Sequence, residues 1–246
     1  MTSQIPNVRI VFPGEKIATG TLRLDAGQIA DIDLHPVAGP TPLLTPGLID
    51  LHTHGIGQTL YEWNFAGVKV LPRFGTTCVL PTLYRVMNRE SLKHLAQLNE
   101  ALPANMPGFH LEGPFLALPG AGAATVPGDL ALLDELLNFK VRAMSVSPDT
   151  PNILPVIRRL RERGVTVFLT HTRASAEQTE AAIAAGATHA THFYDVFPVP
   201  AETEPGVRPV GAVEAVLADK RVSVDFIADG VHVHPLAIKC ALAAKT

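Results

Sequence analysis

Two histidines separated by a single residue, His52 and His54, lie where an apolar stretch opens into a glycine-containing loop. The stretch 48–51 is largely apolar, and its composition predicts a short buried strand. Successive side chains of a strand point to opposite faces, so both imidazoles should project from the same face. Imidazole is a common ligand of zinc and related divalent metals. The pair therefore predicts a shared metal ion rather than two separately buried histidines.

Other polar residues also fall at the ends of predicted strands. Glu112 precedes a Gly-Pro turn between apolar neighbours, where burial without a cationic partner would be costly. His171 and His192 end two later apolar stretches, and His232 follows the last one. Nitrogen and oxygen ligands of this kind suit Zn²⁺, Fe²⁺, Mn²⁺ or Co²⁺. Such a metal activates water and polarises a carbonyl, which indicates hydrolysis, with His232 as a hydrogen-bond donor to that carbonyl.

Two further histidines are expected to be structural. His189 lies three residues before His192 in the same predicted strand and should face away from it. His234 precedes Pro235, which suits the first turn of a helix.

These residues need several parallel strands whose ends meet. The apolar runs that predict strands are 48–54, 76–83, 108–115, 141–146, 165–172, 187–194 and 222–228. Helical patterns lie between most of them, including 88–102 and 175–185, the latter with a Ser175/Gln178 capping box and a closing Gly186. Repeated strand–helix units predict a parallel sheet with right-handed crossovers. A (β/α)8 barrel of the TIM type is favoured over an open sheet, because barrels place active-site residues at the carboxyl ends of several strands.

The first 46 residues follow another pattern. Short β-prone runs at 8–12, 21–24 and 29–34 are separated by turn residues. The predicted organisation is a partial β-sandwich at residues 1–46, followed by a hydrolase barrel at residues 47–246.

Composition limits the function classes. The chain has 246 residues, 47% hydrophobic residues and a formal net charge of −3, which favours a large core and argues against a nucleic-acid or membrane partner. Cys78 and Cys240 lie in apolar runs, which suggests reduced thiols in a cytoplasmic protein. The first 13 residues do not have the pattern of a signal peptide, and no uncharged apolar run reaches the length of a membrane span.

Several stretches together resemble one family. They are 46–55 (PGLIDLHTHG), 110–116 (HLEGPFL), 190–194 (ATHFY), 204–206 (EPG) and 227–232 (IADGVH). The chain is similar to the amidohydrolase superfamily, in its group of N-acetylglucosamine-6-phosphate deacetylases. The resemblance implies a homodimer that acts on a small molecule with one or two divalent metals, most often zinc.

The resemblance also implies roles for individual residues. Glu112, His171 and His192 would hold the principal metal, and His52 and His54 a second one. His232 would polarise the acyl carbonyl. The substrate would lie near a segment formed by Tyr194, Asp195 and Val196.

The chain departs from the family pattern at four places. The general base of the family is an Asp at the end of the eighth strand, which would lie beyond Thr246. Thr203 stands where the family has an Arg for the substrate phosphate, with Arg208 as a nearby substitute, and Asp195 stands where it has an Asn. The loop 117–123 lacks the expected His. The last three changes predict a weaker requirement for phosphate, because cationic partners are lost and a negative charge is added.

The sequence therefore predicts a hydrolase of a C–N amide bond, most simply an N-acetylated amino sugar. A cyclic amidase or a deaminase on the same barrel is an alternative. The stretch 141–146 lacks the Lys that cyclic amidases with two metals usually carry, and deaminases lack the Glu at position 112. A non-catalytic or truncated barrel, without the eighth strand, is a third possibility.

Overall fold

A computed structural model describes residues 2–14, 16–120, 122–202 and 204–245 of the protein. The chain divides into two compact units, Met1–Leu48 and Ile49–Thr246. Within the described residues, no helix is both long and apolar enough to cross a lipid bilayer.

The smaller unit is a four-stranded sheet with the strand order β3-β2-β1-β4. Its strands are β1 (Thr2–Val11), β2 (Ile17–Asp25), β3 (Gln28–Leu34) and β4 (Leu43–Leu44). β1 and β3 pair antiparallel with β2, and β4 pairs parallel with β1. The register of β1 shifts between Ile5 and Val8, where Asn7 has a positive φ of 55°. The three β-prone runs seen in the sequence overlap β1, β2 and β3, while the assignment of residues 1–46 to a β-sandwich stays a prediction.

The larger unit is built on a seven-stranded sheet. Its strands are β5 (Leu48–Thr53), β8 (Thr76–Leu83), β9 (Phe109–Glu112), β10 (Val141–Val146), β11 (Thr166–Leu169), β12 (Ala187–Ala190) and β13 (Ser223–Val224). They follow one another across the sheet in chain order, and those from β8 to β13 pair in parallel. A two-stranded ribbon, β6 (Gly55–Ile56) and β7 (Thr59–Leu60), follows β5. The sheet is curled, and the predicted TIM-type α/β barrel with seven strands in this chain is confirmed.

Helices connect the strands. They are α1 (Leu92–Glu100), α2 (Leu130–Leu136), α3 (Ile153–Glu162), α4 (Ala176–Ala185), α5 (Ala212–Ala218) and α6 (Pro235–Lys245), with 3₁₀ segments at Ala66–Phe74 and Arg89–Ser91. The predicted capping box of α4 is present between Ser175 and Gln178, and Gly186 ends that helix. In α1, Leu95 and Leu98 are buried against the sheet, as the spacing of its leucines predicts. Burial of such apolar faces fixes the strands and therefore their ends.

The strands are shorter than the apolar runs that predicted them. β11 ends at Leu169 and β12 at Ala190, so His171 and His192 lie in the turns that follow. Both residues have left-handed backbones, with φ of 50° and 35°. The side chains after each strand end remain buried, which extends the apolar pattern into the loop and makes the predicted strand too long.

Candidate metal centre

His52 and His54 stand together at the carboxyl end of β5. Their Nε2 atoms are 3.4 Å apart, and the ring of His54 stacks edge-on against Tyr84. The two side chains share one face, as the alternation of a strand predicts. Both rings line a cavity of about 590 Å³ at this end of the sheet.

Glu112 ends β9 and lies at the centre of the cluster. Its side chain is 5% exposed, and four imidazole Nε2 atoms approach its two oxygens. The distances are 3.0 Å from His192, 3.1 Å from His171, 3.3 Å from His54 and 3.7 Å from His52. His52, Glu112 and His192 place ligand atoms within 4.8 Å of one another. The structure thus brings together all five residues predicted as metal ligands.

The other ring nitrogen of each histidine also has a partner. Nδ1 lies 2.8 Å from Thr191 Oγ1 in His52, 3.2 Å from Thr82 O in His54, 3.1 Å from Leu118 O in His171 and 3.3 Å from Asp195 O in His192. A carbonyl oxygen only accepts, so the last three rings carry their hydrogen on Nδ1. Their Nε2 lone pairs then face Glu112, which is also an acceptor. Acceptors facing one another across about 3 Å need a cation between them, so the donor set fits a divalent metal.

The pKa values of the cluster follow from burial and from this convergence. Burial favours the neutral acid of Glu112, yet the imidazoles of His171, His192 and His54, which face its oxygens, hold its pKa well below the usual range. Burial lowers the pKa of His192, but the hydrogen bond and charge of Glu112 outweigh it and the net shift is upward. Burial holds the pKa of His52 well below its usual value.

His110 supports the cluster from below. It is fully buried in β9, and its Nδ1 donates to the carbonyl oxygen of Leu51 at 2.8 Å. Its Nε2 therefore accepts from the hydroxyl of Ser145, at 2.7 Å. Burial lowers the pKa of His110 to about 4, so this ring stays neutral and links β5, β9 and β10.

His232 borders the same cavity. Its Nδ1 donates to Asp229 at 2.7 Å, and its side chain is 46% exposed. Backbone hydrogen bonds from His232 and Val231 lower the pKa of Asp229 to about 2, so the carboxylate stays ionised beside the ring. His234 instead accepts from the backbone N–H of Leu236 at the start of α6. This contact agrees with the structural role expected for His234.

Sequence reasoning missed Asp225 and Thr191. Asp225 follows β13, lines the cavity and accepts the backbone N–H of His192 at 2.5 Å. Hydrogen bonds from His189 and Thr191 also reach its oxygens, at 2.8 Å and 3.1 Å. His189, expected to face away from His192, is buried, and its Nδ1 contacts the hydroxyl of Ser223. The sequence signal that could have identified Asp225 is its position as the one acid within the apolar run 222–228.

Two residues predicted to contact the substrate, Tyr194 and Arg208, lie outside the described lining of the cavity. The half-buried ring of Tyr194 packs instead against those of Phe193 and Phe226, and its backbone has a φ of 78°. Arg208 is 83% exposed and pairs with Glu214 at 2.7 Å. Thr203 lies outside the described residues.

Asp195 and Val196 do line the cavity. Within the described lining, the charged groups other than imidazoles are three carboxylates, those of Glu112, Asp195 and Asp225, and no Lys or Arg is present. The residues that the structure leaves undescribed include no Lys or Arg. Loop 117–123 contributes Ala123 to the lining, and its Ala121 lies outside the described residues, as does Thr246.

Curated relatives support this picture. The chain is 29% identical to an N-acetylglucosamine-6-phosphate deacetylase of Bacillus subtilis, over 98% of this chain and 67% of that protein. It is 33% identical to an N-acetylgalactosamine-6-phosphate deacetylase of Escherichia coli O157:H7, over 91% of this chain and 64% of that protein. The chain thus spans about two thirds of the length of these relatives. No family model matches it.

Solved structures give the same result. An N-acetyl-D-glucosamine-6-phosphate deacetylase from Mycobacterium smegmatis superposes with a TM-score of 0.78 at 26% identity, covering 98% of this chain and 74% of that one. A variant of that enzyme, in complex with N-acetyl-D-glucosamine-6-phosphate, superposes with a TM-score of 0.74 over 98% of this chain and 68% of the other.

Proposed function

Because this chain belongs to the amidohydrolase superfamily, in its group of N-acetylglucosamine-6-phosphate deacetylases, we propose that it hydrolyses the amide of an N-acylated amino sugar with a divalent metal. One observation carries the proposal: four imidazole Nε2 atoms converge on the buried carboxylate of Glu112. Zinc is the metal that best suits these nitrogen and oxygen donors, and it would be held by Glu112, His171 and His192. His52 and His54 would hold a second ion, with Glu112 between the two.

A metal in this cluster would polarise the amide carbonyl and lower the pKa of water. The protein's own residues would orient the substrate. The ring of His232 is held by Asp229 through Nδ1 and lines the cavity, where the imidazolium form would donate a hydrogen bond from Nε2 to the acyl oxygen. The general base that the resemblance implies is an Asp at the end of an eighth strand.

The charges of the cavity support a neutral sugar over a phosphorylated one. Asp195 and Asp225 place negative charge in the described lining, and Arg208 is occupied by Glu214 at the surface. A charge-assisted hydrogen bond to phosphate contributes about 1.5–3 kcal/mol, so its loss lowers affinity by roughly ten- to a hundred-fold. The proposed substrate is therefore an N-acetylated hexosamine whose recognition depends on hydroxyl groups rather than on a phosphate.

The test is amine release from N-acetylglucosamine, N-acetylgalactosamine and their 6-phosphates, after the metal-free chain is loaded with zinc. We expect zinc-dependent release that disappears in Glu112→Gln. Zinc binding without release from any of the four compounds would refute hydrolysis of these sugars by this chain, and the absence of zinc binding would refute the metal site. The resemblance also supports a homodimer in the cytoplasm, and light scattering of the purified chain tests the dimer.

A further inference from the structure

Behind His52, on the side away from Glu112, lies a chain of hydrogen bonds that ends on a carboxylate. Nδ1 of His52 is 2.8 Å from the hydroxyl oxygen of Thr191. That hydroxyl is in turn 3.1 Å and 3.2 Å from the two oxygens of Asp225. We propose that Asp225 is a positioning residue that acts through Thr191 to hold His52 in the tautomer that can bind a metal.

The direction of the hydrogen bonds follows from the partners of Asp225. Its carboxylate also faces the backbone N–H of His192 and Nε2 of His189, at 2.5 Å and 2.8 Å. An ionised carboxylate only accepts, so each of its partners must donate. Thr191 has a single hydroxyl hydrogen, which it donates to Asp225 in a hydrogen bond. The oxygen of Thr191 can then only accept from His52, which places the ring hydrogen of His52 on Nδ1.

The opposite direction is unfavourable. If Thr191 donated to His52, its oxygen would face the two oxygens of Asp225 at about 3 Å with no hydrogen between them. His52 would then carry its hydrogen on Nε2, the nitrogen that lies 3.7 Å from Glu112. A protonated nitrogen cannot bind a metal. Asp225 therefore orients His52 in the way that carbonyl oxygens orient the other three rings.

The same carboxylate connects two further elements. It receives the backbone N–H of His192, at the turn after β12, and the side chain of His189, whose Nδ1 contacts Ser223 at 2.7 Å. Asp225 thus holds the backbone of His192 and sets the tautomer of His52. The consequence for zinc affinity rests on the proposed function, whereas the tautomer of His52 does not.

Nitrogen-15 spectra of histidine-labelled, metal-free protein read the tautomer directly. They are recorded near pH 8, above the ordinary imidazole pKa of about 6.5, and His52 is assigned by its loss in His52→Gln. We expect Nδ1–H in the wild type and a change to Nε2–H, or to a mixture, in Asp225→Asn. The amide of Asn can donate to Thr191, which would let Thr191 donate to His52 instead. Nε2–H in the wild type, or an unchanged Nδ1–H in Asp225→Asn, would overturn the proposal.

Zinc affinity provides the second readout. Loss of a hydrogen-bond partner behind a metal ligand costs about ten- to a hundred-fold in affinity, and we expect such a loss in Asp225→Asn and Thr191→Val. Thr191→Ser keeps the hydroxyl and should keep the affinity. Asp149→Asn is the matched control, because Asp149 also accepts from a threonine, Thr172, and from a backbone N–H, outside the cluster.

The outcomes separate the two proposals. Equal zinc affinity in Asp225→Asn and the wild type would overturn the role of Asp225. Failure of the wild type to bind zinc would refute the proposed function, and the tautomer of His52 would still decide the present proposal. If Asp225→Asn does not fold, the zinc affinity of Thr191→Val and the tautomer of His52 in the wild-type spectrum test the same proposal.

Discussion

Replacing Glu112 by Gln removes the negative charge on which the four imidazoles converge, while it keeps the size of the side chain. In the wild type, zinc that binds only the folded state stabilises it by mass action. At a free zinc concentration of 100 times the dissociation constant, this stabilisation is about 2.7 kcal/mol. For a chain of this length, each kcal/mol raises Tm by about 2–4 °C, so zinc should raise Tm by about 5–11 °C.

The variant should lose most of this increment. Four nitrogens lie within 3.7 Å of the carboxylate, so no other acid can replace it without rearrangement of the cluster. Changes behind a metal ligand already cost up to about a hundred-fold in affinity, and we take that as the least effect of changing the ligand itself. At the same zinc concentration, a hundred-fold weaker site yields about 0.4 kcal/mol, or about 1–2 °C.

The assay is thermal unfolding of the metal-free protein with and without zinc. Glu62→Gln is the control, because Glu62 is also a buried carboxylate but accepts the backbone N–H groups of Tyr84 and Arg85 outside the cluster. Its starting Tm should fall, yet its zinc increment should remain. A full zinc increment in Glu112→Gln would show that the carboxylate is not a ligand, and the metal site would have to be abandoned.

Three further predictions concern the same cluster. In metal-free protein, the raised pKa of His192 stabilises the folded state at pH values below 6.5, the pKa of the unfolded state, and this stabilisation is lost as the pH rises. The lowered pKa of Glu112 stabilises the folded state at pH values above 4.5, and this stabilisation is lost as the pH falls. The free energy of unfolding in urea should therefore be higher for the wild type than for Glu112→Gln, most clearly between pH 4.5 and pH 6.5. A difference that does not depend on pH would contradict the pairing of His192 with Glu112. Gly120→Ala should weaken zinc binding in a competition titration, since its Cβ would lie 1.9 Å from the ring of His171, whereas Gly122→Ala, with open space around it, should keep the affinity. Asp195→Asn should raise kcat/KM for the 6-phosphate, relative to that for the free sugar, by about fivefold or more. The reason is that a like charge at about 4 Å costs about 1 kcal/mol in water. An unchanged ratio would show that Asp195 does not contribute to substrate selection.

The parts of the fold that the sequence predicted are those with a regular pattern. Seven apolar runs, most of them separated by helical patterns, predicted the seven strands of the curled sheet, and the capping box at Ser175 predicted where α4 begins. The ends of β11 and β12 could not be placed, because the residues after them stay buried as turns. Burial is visible in composition, but the change of backbone direction at His171 and His192 depends on tertiary contacts.

The candidate site divides in the same way. His52 and His54 could be paired because strand alternation is a local rule, and Glu112 because a buried acid needs a cation. The role of Asp225 could not be predicted, since its partners Thr191 and His189 are more than 30 residues away in the chain. The orientation of Tyr194 could not be predicted, because its backbone has a positive φ at a residue other than glycine.

The left-handed turns after β11 and β12 also bear on how this protein can be stabilised. His171, His192, Tyr194 and Val196 all have φ between 35° and 78°, a conformation that costs L-residues about 1–2 kcal/mol each. Glycine would relieve this cost at every one of the four positions. At positions 171 and 192 the same change would delete an imidazole that faces the buried carboxylate of Glu112. Relief of backbone strain and ligand geometry are thus opposing demands in these two loops.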